Sequence, residues 1–313
     1  MRARRAGAAT INHVTAARGA VGNTFMSGIS VLVLTRNEEQ DLPGCLRSLA
    51  WSDDIYVYDS MSSDRTVEIA RQFGAKVVQR PFDNWSSHQN WGLRNIPFRH
   101  PWVYYSDADE RITPELLTAM KQAVVAPGDN VAFRVRRRDH FMGSWLRHVA
   151  PSPFNIRLFR PDRIRYERLC NPVTLVDGQT GDIDAHFDHY PFSKGIAHWL
   201  DKHNRYSSFE AEQILQNRRN GTPFSIWKAF FEADRNERRF HQKEVYYRLP
   251  LRPAVMFVLL YVLRGGFLDG RAGLTYSLLR AIYEYMIVLK VRELERPAAQ
   301  DDDIQPARAA DAQ

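Results

Sequence analysis

The sequence predicts an α/β fold, a mixed but mostly parallel, Rossmann-like sheet with flanking helices, and two observations carry that prediction. Short apolar runs alternate with stretches of helical periodicity from residue 29 onward, the pattern of βαβ units. Three of those runs end in polar clusters: Thr35-Arg36-Asn37, Asp59-Ser60 and Asp107-Ala108-Asp109-Glu110. Ligands of such sheets bind beyond the carboxyl ends of the strands, so function is sought in these clusters.

Taken in order, strands are expected over 29–34, 55–58, 76–78 and 102–105, and helices over 41–49, 67–73 and 85–94. Asp64 reads as the N-cap of a helix over 65–73, and Asn37 with Gln40 has capping-box spacing, which competes with ligand contact at Asn37. Thr113-Pro114-Glu115 opens another helix, with Thr as N-cap and Pro in the first position. Beyond residue 130, β-like stretches at 131–137, 156–159 and 173–176 are expected to extend the sheet and form the acceptor side. From Lys194 the pattern turns helical. The expected layout is a flexible basic leader over 1–28, a sheet domain over 29–190, a helical region over 191–296 and a disordered tail over 297–313.

A chain of 313 residues, 44% apolar, can bury one full core and a smaller appended one. Cys45 and Cys170 give neither a disulfide framework nor metal spacing and fit a reducing compartment. The net charge of +7 favours anionic partners without choosing among them. No G-x-G-x-x-G or G-x-x-x-x-G-K-[ST] loop is present, which argues against a dinucleotide oxidoreductase or a P-loop NTPase. The Arg134 to Arg138 stretch and the series Arg157, Arg160, Arg163, Arg165, Arg168 lack any nucleic-acid motif and read as a cleft wall facing phosphates.

Asp107 and Asp109 directly follow an expected strand, and Thr113 already caps the next helix. They are left without a structural task, and close carboxylates repel unless a cation lies between them. Mg²⁺ or Mn²⁺ bridging a diphosphate needs only one or two protein carboxylates. Asp59 also ends a strand, where a surface turn explains an Asp almost as well. His186 and His189, three apart with no cysteine beside them, are a weak metal signal.

Residues 29–39 (ISVLVLTRNEE), 59–66 (DSMSSDRT) and 106–110 (SDADE) resemble the successive motifs of family-2 glycosyltransferases with the GT-A fold. The likeness runs through roughly residues 29–125; Gly143-Ser-Trp145, Arg157-Leu-Phe159, Val176-Asp-Gly178 and the segment 263–270 are similar to the bacterial branch that builds lipopolysaccharide cores and exopolysaccharides. The resemblance implies an inverting, metal-dependent transfer from a nucleotide diphosphate-sugar to a membrane-associated glycan or lipid-linked acceptor. It places Asp59 on the nucleotide base and Thr35 along its pocket, with Asn37 and Asp107 as further donor-binding candidates. It also puts the divalent metal, Mg or Mn, on Asp107 and Asp109, with His189 completing the shell.

A single displacement needs one base to deprotonate the acceptor. Where lipopolysaccharide-core relatives carry a His-Glu pair, this chain reads Cys170-Asn171-Pro172, and neither Asn nor Pro can take that proton. Glu167 and Asp139 are the nearest acidic candidates. The missing pair keeps open an alternative, a non-catalytic nucleotide-sugar or polyanion-binding protein of the same fold; a metal-dependent nucleotidyltransferase is more distant.

The apolar run 254–263 has about half the roughly 20 residues that span a bilayer. The second, 274–291, carries Arg280, Glu284 and Lys290. The pair is expected to lie in the membrane interface, on the cytoplasmic face of the plasma membrane. A buried pair that simply closes the domain is the competing expectation.

Overall fold

The computed structural model describes residues 28–150, 152–167, 173–233 and 235–296; the expected leader up to residue 27, the tail from 297 and Cys170-Asn171-Pro172 lie outside them. The chain begins β1 (Ile29–Thr35), α1 (Leu42–Leu49), β2 (Ile55–Asp59), α2 (Thr66–Gln72), β3 (Lys76–Gln79), α3 (Trp85–Asn95), β4 (Trp102–Asp107). It continues through β5 (Glu110–Ile112), α4 (Pro114–Val125), β6 (Asn130–Phe141), β7 (Ser144–Trp145), β8 (Phe154–Phe159), β9 (Ile164–Glu167), β10 (Val173–Val176) and β11 (Gln179–His189). Helices α5 (Gly195–Arg219), α6 (Ile226–Phe231), α7 (Arg235–Tyr246), α8 (Arg252–Phe257) and α9 (Gly270–Glu295) follow.

The main sheet has the order β3-β2-β1-β4-β8-β6-β11-β5. Strands β1 to β4 are mutually parallel, β8 joins β4 and β6 antiparallel, and β11 runs parallel to β6. Alternation along β1 sends Ile29, Val31 and Val33 into a core shared with Leu42, Leu46 and Leu49 of α1, while Leu32 joins Tyr58, Val103 and Phe159 on the other face. A sheet covered on both faces by apolar side chains is the α/β arrangement expected.

Several local expectations fare differently. Thr113 caps α4, its Oγ1 accepting from the Leu116 amide at 3.2 Å. Asp64 is not the N-cap expected of it: Arg65 holds that position, and Asp64, one residue earlier, accepts from the Thr66 amide at 3.0 Å. The Asn37–Gln40 capping box does not form: Asn37 is left-handed at φ 56°, and Gln40 instead donates to the Ser193 carbonyl. The segment 173–176 does not extend the sheet, since β10 pairs with β9 in a separate two-stranded ribbon. The strand that does extend it is β11, where buried Ile183, Ala185 and Phe187 alternate with Asp182, Asp184, His186 and Asp188.

The C-terminal helices close over a core of their own, in which Trp199, Ile214 and Leu215 of α5 meet Leu260, Leu279, Tyr283, Ile287 and Val291, with Phe141 and Leu146 from the β6–β7 hairpin. Between α8 and α9 the chain bends by 72°. Gly273 is required there, because a Cβ would stand 2.0 Å from the Gly266 carbonyl oxygen. Asp269, buried in the bend, accepts from the His148 and Val149 amides at 2.9 and 2.8 Å and ties the helices to the loop before β8. Among the described residues no single helix is long and apolar enough to cross a membrane. One face of α9 is thus core, as the competing expectation had it. The other leaves Leu274, Leu278, Ile282, Tyr285 and Leu289 exposed in a row at helical spacing.

Candidate active site at the carboxyl ends of the strands

Two loops meet where β1 and β2 end side by side, with Thr35 opposite Asp59 in register. Asp59 is fully buried, and its four acceptor positions are taken. Thr35 Oγ1 donates to it at 2.9 Å, the Ser62 amide at 2.9 Å and Gln79 Nε2 at 3.0 Å, and Ser62 Oγ makes a further short bond. Asn37 bridges the loops, its amide donating to Ser62 Oγ at 2.8 Å and its Oδ1 accepting from the Ser63 amide at 2.9 Å. The Asp59 carboxylate therefore organises the turn at 60–63, and a base N–H could reach it only by displacing one of these donors, with the Ser62 hydroxyl the most easily moved.

Asp107 ends β4 and is half-exposed. Its Oδ1 accepts from the Tyr105 hydroxyl at 2.8 Å and its Oδ2 from Arg157 Nη2 at 3.0 Å. The same guanidinium is in contact with Glu110, itself buried, whose carboxylate accepts from the Asp107 amide at 3.1 Å. Burial drives the Glu110 carboxyl upward and Arg157 pulls against it. Glu110 lay in the acidic cluster and Arg157 in the arginine series and the Arg-Leu-Phe string, but the sequence did not pair them; only the β4–β8 pairing shows that this arginine faces the acidic cluster.

Asp109 lies across from β11. Its Oδ2 is 3.3 Å from His189 Nε2, and His189 Nδ1 is 2.6 Å from Asp139 Oδ1. Arg137 Nε closes the line at 2.8 Å from Asp139. The topology makes this possible because β11 lies between β6 and β5, placing His189 in register with Asp139 on one side and Glu110 on the other. Burial disfavours charge on His189, but the two carboxylates outweigh it and raise the imidazole to about 9. Burial likewise pushes Asp109 up, and His189 overcomes that and holds it below the usual carboxylate range.

The geometry gives Asp139 a task other than the base expected of it: both its oxygens are engaged, by His189 and by Arg137. Glu167, the other base candidate, is an exposed carboxylate at the end of β9, 3.3 Å from Arg165 Nε. It follows Tyr166, which packs in the same core layer as Tyr105, the residue holding Asp107. His186 is not brought into the cluster; its ring packs edge-on to Trp145. Glu38 was also missed. It sits beside Lys194 at 2.7 Å, and burial, opposed by Lys194 but reinforced by Asp109 and Asp41, raises it to about 7.

Among the described residues no three His, Cys, Asp or Glu side chains form a complete metal cluster. The Asp109–His189 pair nonetheless fits a divalent cation that takes its other ligands from a diphosphate. Imidazole Nε2 and a carboxylate oxygen converge, and the far ring nitrogen is fixed by Asp139, the carboxylate–histidine arrangement that orients metal-binding histidines.

Over 276 residues the chain is 22% identical to a lipopolysaccharide core biosynthesis glycosyltransferase, LpsC, of Rhizobium meliloti (strain 1021), covering 84% of this chain and 91% of that one. It is 24% identical over 284 residues to an uncharacterized glycosyltransferase of Rickettsia typhi (strain ATCC VR-144 / Wilmington), covering 86% and 88%. Among solved structures, the mannosyltransferase PcManGT from Pyrobaculum calidifontis in complex with GDP-Man and Mn²⁺ covers 86% of this chain and 88% of its own at a TM-score of 0.49 and 13% identity. The model of glycosyl transferase family 2 matches residues 30–180, a span that contains Thr35, Asp59, Asp107, Asp109, Asp139 and Arg157. By that match residues 30–180 form a glycosyl transferase family 2 domain.

Proposed function

We propose that this glycosyltransferase moves a sugar, with inversion, from a nucleoside diphosphate sugar to a glycan or lipid-linked acceptor at the membrane surface, in cell-envelope polysaccharide synthesis. The line Asp109–His189–Asp139 carries the proposal, because it presents a carboxylate and an oriented imidazole beside Asp107 where the parallel strands end. The lipopolysaccharide-core relative supports the acceptor class.

Asp109 and His189 would hold a divalent cation, with Asp107 alongside. Such a cation supplies charge stabilisation to the departing nucleoside diphosphate. Arg157 and the Tyr105 hydroxyl hold the Asp107 carboxylate in one orientation toward the donor. Thr35, Asn37 and Asp59 shape the base and ribose pocket through the paired loops. Glu167 takes the acceptor proton as the acceptor oxygen bonds to the anomeric carbon and the diphosphate leaves with its electron pair. The exposed row on α9 supports a seat for the enzyme against the inner leaflet, with the acceptor presented from the lipid side.

The experiment is nucleoside diphosphate release from a panel of nucleotide sugars, with and without Mn²⁺, in the wild type and in Glu167→Gln. Metal-dependent release supports the transferase, and Glu167→Gln should lower transfer to an acceptor while donor binding persists. Donor binding with no turnover under any condition would favour a non-catalytic binding protein.

A further inference from the structure

A second cavity, outside the strand-end site, opens in the helical region. It holds about 650 Å³ between the 247–254 segment and the last turns of α9, within the size range of small-molecule sites. Its lining is divided by chemistry. Four guanidinium groups, Arg218, Arg248, Arg252 and Arg292, face one carboxylate, Glu295. The remaining wall is apolar, chiefly Leu249, Leu251, Val288 and Val291.

These arginines are not all spent on neighbours. Arg218 bonds to Glu295 at 2.5 Å and Arg248 to Glu244 at 2.6 Å. Arg252, only 4% exposed, forms a loose ion pair with buried Glu284 at 3.6 Å, and its Nε and Nη2 make no hydrogen bond, nor does Glu284 Oε2. Arg292 has no ion pair among the described residues. A buried guanidinium with unmet donors is costly unless an acceptor arrives. At the rim, Leu251 takes a left-handed backbone at φ 52° and is 79% exposed, a strained placement for an apolar side chain in water. Tyr285 belongs both to the cavity lining and to the exposed apolar row of α9, so the cavity is continuous with that row.

We propose that this cavity binds the phosphate headgroup of an anionic phospholipid, with the apolar wall taking the start of the acyl chain. Guanidinium groups match phosphate oxygens in charge and geometry, and Leu251 and the row on α9 would then be buried in the leaflet. The proposal rests on the membrane-surface location given above, but not on sugar transfer.

Isothermal titration of the full-length protein, without nucleotide sugar or metal, tests it. The probes are dihexanoylphosphatidylglycerol below its micellar concentration, dihexanoylphosphatidylcholine and glycerol 3-phosphate. The expected result is saturable binding of the anionic lipid, with the other two at least roughly tenfold weaker. Arg292→Glu should weaken it by a similar factor, whereas Arg71→Glu, the same charge change on exposed α2, should not. If Arg292→Glu loses its near-ultraviolet circular dichroism, Arg292→Gln replaces it. Absence of saturable binding overturns the proposal. So do equal affinity for glycerol 3-phosphate, which would mean a free-phosphate site, and equal loss in Arg71→Glu, which would mean net charge alone. Nucleoside diphosphate release reads the transferase proposal separately, so either can fail without the other.

Discussion

His189 donates from Nδ1 to Asp139 at 2.6 Å, which turns its Nε2 toward Asp109. This bond orients the ring, and with Arg137 it occupies both oxygens of Asp139, as a positioning role requires. Asp139→Asn should therefore weaken the apparent affinity for Mn²⁺ by about 10- to 100-fold, while kcat at saturating metal falls much less. A Mn²⁺ titration of donor turnover checks this, and an unchanged midpoint would rule the positioning role out.

Asp59 organises a buried turn, so its replacement has a structural cost. Asp59→Ala strands the Ser62 amide, the Gln79 side chain and the Thr35 hydroxyl in a buried turn. A loss on the order of 3 kcal/mol is expected, seen as a lower urea midpoint, together with weaker donor binding. Wild-type stability with weak donor binding would instead make Asp59 a ligand contact alone.

Buried His88 should make stability fall in acid. Its ring stacks on Tyr58 at 4.1 Å with Arg80 beside it, and burial together with the Arg80 charge lowers its pKa to about 4. The unfolded chain then takes up a proton that the folded chain refuses. Stability is fully present above about pH 6.5 and is lost as pH falls toward 4, by up to about 3 kcal/mol from this group. The difference between wild-type and His88→Gln urea midpoints across that range isolates the contribution, and a flat difference would remove it.

The outer row of α9 predicts that the protein pellets with anionic vesicles and that salt releases it only partly, since buried apolar area survives screening. Ile282→Asp with Leu278→Asp should abolish the salt-resistant fraction. Truncation near residue 245 is a poor test, because it strips Leu260, Leu279 and Ile287 from Trp199 and Ile214 and should cause aggregation. A full-length protein that stays in solution beside anionic vesicles at low salt would confine the C-terminal helices to a structural role.

Much of the sheet half was legible because its strands are uniformly apolar and their ends polar: β1, β2 and β4 come with Thr35, Asp59 and Asp107 already at the right edge. β11 was not, because its outward positions Asp182, Asp184 and Asp188 are acidic and only Ile183, Ala185 and Phe187 mark its buried face, so no apolar run announces it. With that strand unread, His189 could be tied to the acidic cluster only by family resemblance, and Asp139 was free to look like a base. Arg157 and Glu110 are a matter of strand order, which no local pattern records. The division of α9 into a buried apolar face and an exposed apolar face defeats a periodicity search because both faces are hydrophobic.

The most direct test of the central claim is Mn²⁺-dependent release of nucleoside diphosphate from the preferred nucleotide sugar, compared between wild type and Asp109→Asn. Removing a charge at a metal ligand while keeping its shape should lower turnover by at least about 100-fold, with the protein still folded cooperatively at a urea midpoint lowered by loss of the Asp109–His189 pair and donor binding still measurable. Turnover in Asp109→Asn close to wild type, or release from wild type that survives complete chelation of divalent metal, would contradict the assignment of Asp109 and His189 as the cation-holding pair.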